Sequence, residues 1–141
     1  MANLFQDVLF DEVKTRELVE QYGSPLLLLD CDKLADQYRQ LSAALPGVGL
    51  YYAVKAFPHA SIVSTLNQLG AGFDIASTGE INLLRKQKVN PRNTIHTHPI
   101  KKDKDIKDAL RFGCSTFVVD NHAEISKFRK YAHRVGLLLR V

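Results

Sequence analysis

Hydrophobic positions along the chain follow two rhythms. Short apolar runs recur, and between them apolar residues return at steps of three and four. In the stretch 32–45 these are Leu34, Tyr38, Leu41 and Leu45, the spacing of one helix face, and Pro46-Gly47 closes it. Helices are predicted in the same way over 60–69, closed by Gly70, and over 77–86, 103–111 and 123–134. Ser77 and Glu80 are spaced as a capping box at the start of the second of these. The runs 26–30, 49–55, 72–76, 94–98, 116–120 and 137–141 read as strands.

The strands start at intervals of about 21 to 23 residues, each interval holding one helix and short turns. That alternation predicts parallel strands joined by crossovers. Two architectures fit it, an open doubly wound sheet and a (β/α)8 barrel. The apolar run ending in Leu139, Arg140 and Val141 has no helix after it, so the expectation is an incomplete barrel, with only the first five to six strands present. Residues 1–23 read as a lead-in and 24–141 as the folded unit. No motif repeats between units.

Composition narrows the class. The 141 residues are 45% hydrophobic and 24% charged, the balance of a soluble globular protein. No apolar run approaches the roughly 18 to 20 residues of a bilayer span, so no membrane partner is expected. The first dozen residues have no basic patch followed by an apolar core, which predicts no secretory signal. Cys31 and Cys114 are two lone thiols, read as structural cysteines in a reducing cytoplasm. The net charge of +4 raises nucleic acid as a partner, but the basic residues do not gather. Lys101, Lys102, Lys104 and Lys107 are interleaved with Asp103, Asp105 and Asp108, the pattern of a solvated helix face. No nucleic-acid motif accompanies them.

Candidate chemistry lies at the strand ends. Residues two apart in a strand share a face, and the larger apolar sets suit the helix layer. Tyr52 and Val54, and then Phe73 and Ile75, therefore face helices. Lys55, Asp74, His96 or His98, Asp120 and Arg140 are expected to converge on the inner face near the carboxyl ends, where barrel enzymes place catalytic groups. Lys55 stands out, because an amine on a low-dielectric wall tends to the neutral form that attacks carbonyls. A structural ion pair with Asp74 is the alternative. His96 and His98 read as hydrogen-bonded pocket histidines rather than metal ligands. Gly70-Ala71-Gly72 follows a helix and precedes a strand, the wrong context for a phosphate loop.

Two motifs carry more than spacing can. The run Tyr52-Ala53-Val54-Lys55-Ala56 with Pro58, followed by residues 70–81 (GAGFDIASTGEI), resembles the barrel domain of the fold-type III pyridoxal-phosphate amino-acid decarboxylases. That family acts on ornithine, lysine, arginine or diaminopimelate, and the resemblance spans residues 24–140. It implies that Lys55 holds pyridoxal 5'-phosphate covalently, that Asp74 and Glu80 are acidic neighbours of that lysine, and that Arg140 lies beside the cofactor at a strand end. His98-Pro99 departs from the family's frequent Asn-Pro, while the following Pro-x-Lys agrees with the ornithine/lysine branch. The implied function is decarboxylation of a basic amino acid, ornithine or lysine, in polyamine biosynthesis, by a cytoplasmic homodimer when full length. Rival readings are a diaminopimelate decarboxylase or racemase of the same fold, and a regulator that keeps the fold without catalysis. The family continues into a glycine-rich phosphate loop and a C-terminal β domain, absent here, so this stretch alone is expected to be inactive.

Overall fold

The computed structural model describes residues 12–141. The chain parts into two units, one running to Asp30 and the other from Cys31 to Val141. The first contains helix α1 (Glu12–Tyr22), where the sequence pattern predicts only a lead-in. Good helix formers make it, but without a clear apolar stripe to signal it. Residues 26–30 were expected to be a buried strand and form none, with Leu27 77% exposed. An apolar run becomes a strand only where a neighbouring backbone satisfies its N–H and C=O groups.

The second unit alternates helices and strands. In order they are α2 (Cys31–Ala44), β1 (Tyr51–Ala53), α3 (Ala60–Gln68), β2 (Gly72–Ile75), α4 (Thr78–Lys86) and β3 (Thr94–His96). Then follow α5 (Asp103–Phe112), β4 (Thr116–Val119), α6 (His122–Lys127) and β5 (Gly136–Leu139). The helix expected over 123–134 is shorter. After α6 the buried Phe128 packs on Phe117, ring centroids 5.0 Å apart, and a 3-10 segment, Arg129–Arg134, completes the stretch.

The five strands form one parallel sheet in the order β1-β2-β3-β4-β5. A doubly wound sheet reverses its order at a switch point. Here chain order and sheet order coincide throughout, which is the wall of a (β/α)8 barrel, seen over five strands.

One face of this wall is dry. Phe73 and Ile75 of β2, and Phe117 and Val119 of β4, are buried against Ile62 and Leu66 of α3, Ile81 and Leu84 of α4, and Ile106 and Leu110 of α5. The other face carries Ala53, Asp74, Ile95 and Val118, all half-buried. Gly72 shows why a residue without a side chain is needed there. A Cβ at that position would lie 2.5 Å from the ring of Tyr51, its partner across the ladder. Gly70 has φ +82° and ends the turn after α3, so the Gly70–Gly72 segment serves packing and chain reversal. Among the described residues no helix is long and apolar enough to cross a membrane.

Candidate active site

The strand ends hold a concave site of about 510 Å³, lined by Lys55, Thr97, His98, Pro99, Val118, Leu138, Leu139 and Arg140. It gathers three strand ends and the loop that leaves β3. Lys55 does not stand on a strand as expected. β1 stops at Ala53, and Lys55 is the middle residue of a 3-10 turn, Val54–Ala56. Val54 is fully buried and anchors that turn, while Lys55 is exposed rather than enclosed by a low-dielectric wall. Tyr52 steadies the exit from the turn by donating its hydroxyl to the Phe57 carbonyl at 3.1 Å.

Arg140 follows β5, and its backbone N–H donates to the Val119 carbonyl at 2.8 Å, which carries the ladder one step past the strand. Among the described residues no ion pair or hydrogen bond engages the Lys55 amine or the Arg140 guanidinium. The expected alternative, a structural Lys55–Asp74 pair, does not form. Two uncommitted cations on one pocket wall favour an anionic ligand, and one of them is an amine able to join a carbonyl carbon.

Asp74 lies on the inner face of β2, paired in register with Ala53 and Ile95. Its Oδ1 accepts from the Thr97 hydroxyl, and the Thr97 N–H donates to the Ile75 carbonyl at 3.2 Å. Thr97 thus ties Asp74 to the pocket wall, a link that sequence reasoning missed. Glu80 is differently placed. Its carboxylate accepts from the Ala76 N–H at 2.8 Å and the Ser77 hydroxyl at 2.9 Å, while Ser77 Oγ accepts from the Glu80 N–H at 3.3 Å. Both oxygens are occupied in capping α4, as the capping-box spacing of Ser77 and Glu80 predicts.

The histidines separate. His96 was expected on the inner face with His98, but its ladder partners are Ile75 and Phe117, both buried on the helix side. Register with the neighbouring strands, not side-chain polarity, fixes which way a strand residue points. His96 is 1% exposed, stacks on Phe117 at 5.7 Å, and among the described residues neither ring nitrogen has a hydrogen-bond partner. Burial, aided by the positive charge of Lys101, pushes its imidazole down to about 4. His98 lines the pocket from the loop, its Nδ1 accepting the Ile100 N–H at 3.2 Å. Asp120 is exposed, accepts from Asn121 Nδ2 at 2.6 Å and does not line the pocket. Cys114 is buried, which pushes its thiol up, and Cys31 is half-buried at the start of α2.

Lys101 is the largest departure. Expected on a solvated face, it is 1% exposed, whereas Lys102, Lys104 and Lys107 do face water and Lys107 pairs with Asp103 at 2.7 Å.

Known proteins share this fold. A crystal structure of a lysine/ornithine decarboxylase from Vibrio vulnificus, complexed with putrescine, superposes with a TM-score of 0.87 at 54% identity, covering 90% of this chain and 35% of that one. A structure of SrLDC in complex with PLP and cadaverine gives a TM-score of 0.88 at 31% identity, over 94% of this chain and 35% of that one. The lysine/ornithine decarboxylase of Selenomonas ruminantium is 34% identical over 130 residues, 92% of this chain and 33% of that protein. The chain thus spans about a third of the length of these relatives. Residues 31–141 match the family described as pyridoxal-dependent decarboxylase, pyridoxal binding domain. The chain belongs to that family.

Proposed function

We propose that the full-length protein containing this chain removes the carboxyl group of a basic amino acid, ornithine or lysine, using pyridoxal phosphate held by Lys55. The supporting observation is the joint presence of the uncommitted Lys55 amine and Arg140 guanidinium in one pocket at the strand ends. This donor set fits an aldehyde that carries a phosphate. Lys55 would hold the cofactor through its amine, and Arg140 would meet an anionic oxygen. Pyridoxal phosphate, when bound, supplies an electron-withdrawing ring that takes up the electron pair left as carbon dioxide departs. Asp74, fixed by the Thr97 hydroxyl, places a carboxylate on the inner face of β2 next to the pocket wall.

The choice of ornithine or lysine is supported by the 54% identical relative, a lysine/ornithine decarboxylase complexed with putrescine. On this reading residues 31–141 form the cofactor-binding part of a barrel, a start later than the residue 24 expected from the sequence. The enzyme works as a cytoplasmic homodimer in polyamine formation.

The test is borohydride reduction of the full-length protein with pyridoxal phosphate, followed by peptide mass mapping, alongside carbon dioxide release from ornithine, lysine and diaminopimelate. A label on Lys55 with release from ornithine or lysine is the expected outcome. A label on another lysine, or release from diaminopimelate alone, overturns the corresponding part.

A further inference from the structure

The loop between β3 and α5 contains a buried ion, the lysine of the Pro99-Ile100-Lys101 run, whose burial the sequence pattern does not predict. The Lys101 ammonium has three protons and three acceptors, the carbonyl oxygens of His98 at 2.8 Å, Pro99 at 2.9 Å and Val118 at 2.6 Å. Two acceptors belong to the loop and the third to β4. The Phe128 ring closes the remaining side, its centroid 5.5 Å from Nζ. The main chain of Lys101 is held as well. Its N–H donates to Glu124 Oε2 at 3.2 Å, and its carbonyl accepts from Lys127 Nζ at 2.7 Å. Lys127 in turn pairs with the buried Glu124.

A charge so far from water is costly unless every proton is matched. Here the ammonium is matched wholly by main-chain acceptors, and these can move only if the backbone moves. What Lys101 fixes is therefore the path of the chain. That path forms the wall of the Lys55 pocket, because Thr97, His98, Pro99 and Val118 all line it, and Thr97 holds Asp74.

We infer that Lys101 is a positioning residue: its three-carbonyl clamp fastens the Thr97–His98–Pro99 wall of the cofactor pocket to β4 and, through Thr97, steadies the Asp74 carboxylate that Thr97 holds behind that wall. The cofactor half of this inference rests on the function proposed above; the clamp rests on the geometry alone.

The experiment compares Lys101→Met with Leu84→Ala in the full-length protein. Methionine keeps an unbranched apolar stem without the charge, and Leu84 is a core residue of α4 outside the pocket. Amide hydrogen exchange of the cofactor-free protein should rise about tenfold across 95–102 in Lys101→Met while α3 stays protected. Leu84→Ala should show no such focus. If the wall is in place only about a tenth of the time, the apparent Kd for pyridoxal phosphate rises about tenfold, and only in Lys101→Met. Should Lys101→Met fail to fold, Lys101→Arg serves, because a planar guanidinium cannot direct three protons at this cone of carbonyls. Exchange that is unchanged, or raised evenly along the chain, overturns the clamp. A focused rise with an unchanged Kd overturns the link to the pocket. A wild-type protein that takes up no pyridoxal phosphate overturns the functional reading, and the exchange pattern still judges the clamp.

Discussion

The turn leaving β1 and the loop leaving β3 are built from similar parts and use them differently. Each has a histidine whose Nδ1 accepts the N–H two residues ahead, His59 from Ser61 and His98 from Ile100, both at 3.2 Å. Each also has a lysine. Lys55 is exposed with no partner among the described residues, whereas Lys101 is buried with three. The difference separates two uses of one side chain. An amine that must bond to a ligand carbon has to be free of prior commitments. A lysine that organises the backbone is effective because all its protons are committed, and making it reactive would orphan three carbonyls.

The same substitution at both positions sharpens this contrast. Lys55→Met should abolish covalent uptake of pyridoxal phosphate by the full-length protein, read from the cofactor's absorbance, while stability stays within about 0.5 kcal/mol. Lys101→Met should cost about 3 kcal/mol in denaturant unfolding, because buried carbonyls lose a charged donor. Similar stability losses at the two positions would break the distinction.

His96 extends the comparison to the other side of β3. Its imidazole is held down to about 4 by burial first and by Lys101 second. The unfolded chain therefore takes up this proton near pH 6.5, while the folded chain refuses it until about 4. Stability from this group is complete above pH 6.5 and is lost as pH falls toward 4, about 2 kcal/mol of it between pH 7 and 5. Denaturant midpoints at the two pH values measure this, and His96→Leu should flatten the difference. A slope that survives in His96→Leu would assign it to other groups.

These contrasts also show how far a sequence can be read. Helices α2 to α5 were legible because their apolar residues recur with the period of a helix, and Ser77 with Glu80 marked the start of α4. The strand spacing left a barrel and a doubly wound sheet open; the last strand and the two motifs chose the barrel, and the pairing order bears that out. His96 was misplaced because the inward direction in a strand is set by register, which involves residues about 20 positions away on either side. Lys101 was misplaced for a related reason. Its acceptors are carbonyls of His98, Pro99 and Val118, and any residue type supplies a carbonyl, so no pattern of side chains announces them. Lys55 stood out from its place at a strand end and again in its motif, but its exposed turn was not foreseen, since Val54 and Lys55 continue the apolar-polar alternation of β1 after the ladder has ended.

The smallest effect concerns the two histidine turns, and it bears on the one place where the chain departs from its family's frequent Asn-Pro. Among the described residues His98 uses only Nδ1, to accept the Ile100 N–H. An asparagine carbonyl oxygen reaches the same N–H two residues ahead, the bond of an Asx turn. His98→Asn should therefore leave thermal stability within about 0.3 kcal/mol, whereas His98→Leu should lower it by about 1 kcal/mol as that acceptor is lost. His59 is the matching case, because it caps α3 by accepting from Ser61. His59→Ala should cost about 1 kcal/mol and His59→Asn should restore it, asparagine being among the best N-cap residues. Paired thermal melts decide the matter. If asparagine rescues at 59 and destabilises at 98, the imidazole of His98 does more in the pocket than hold its own turn, and the two turns are not built alike.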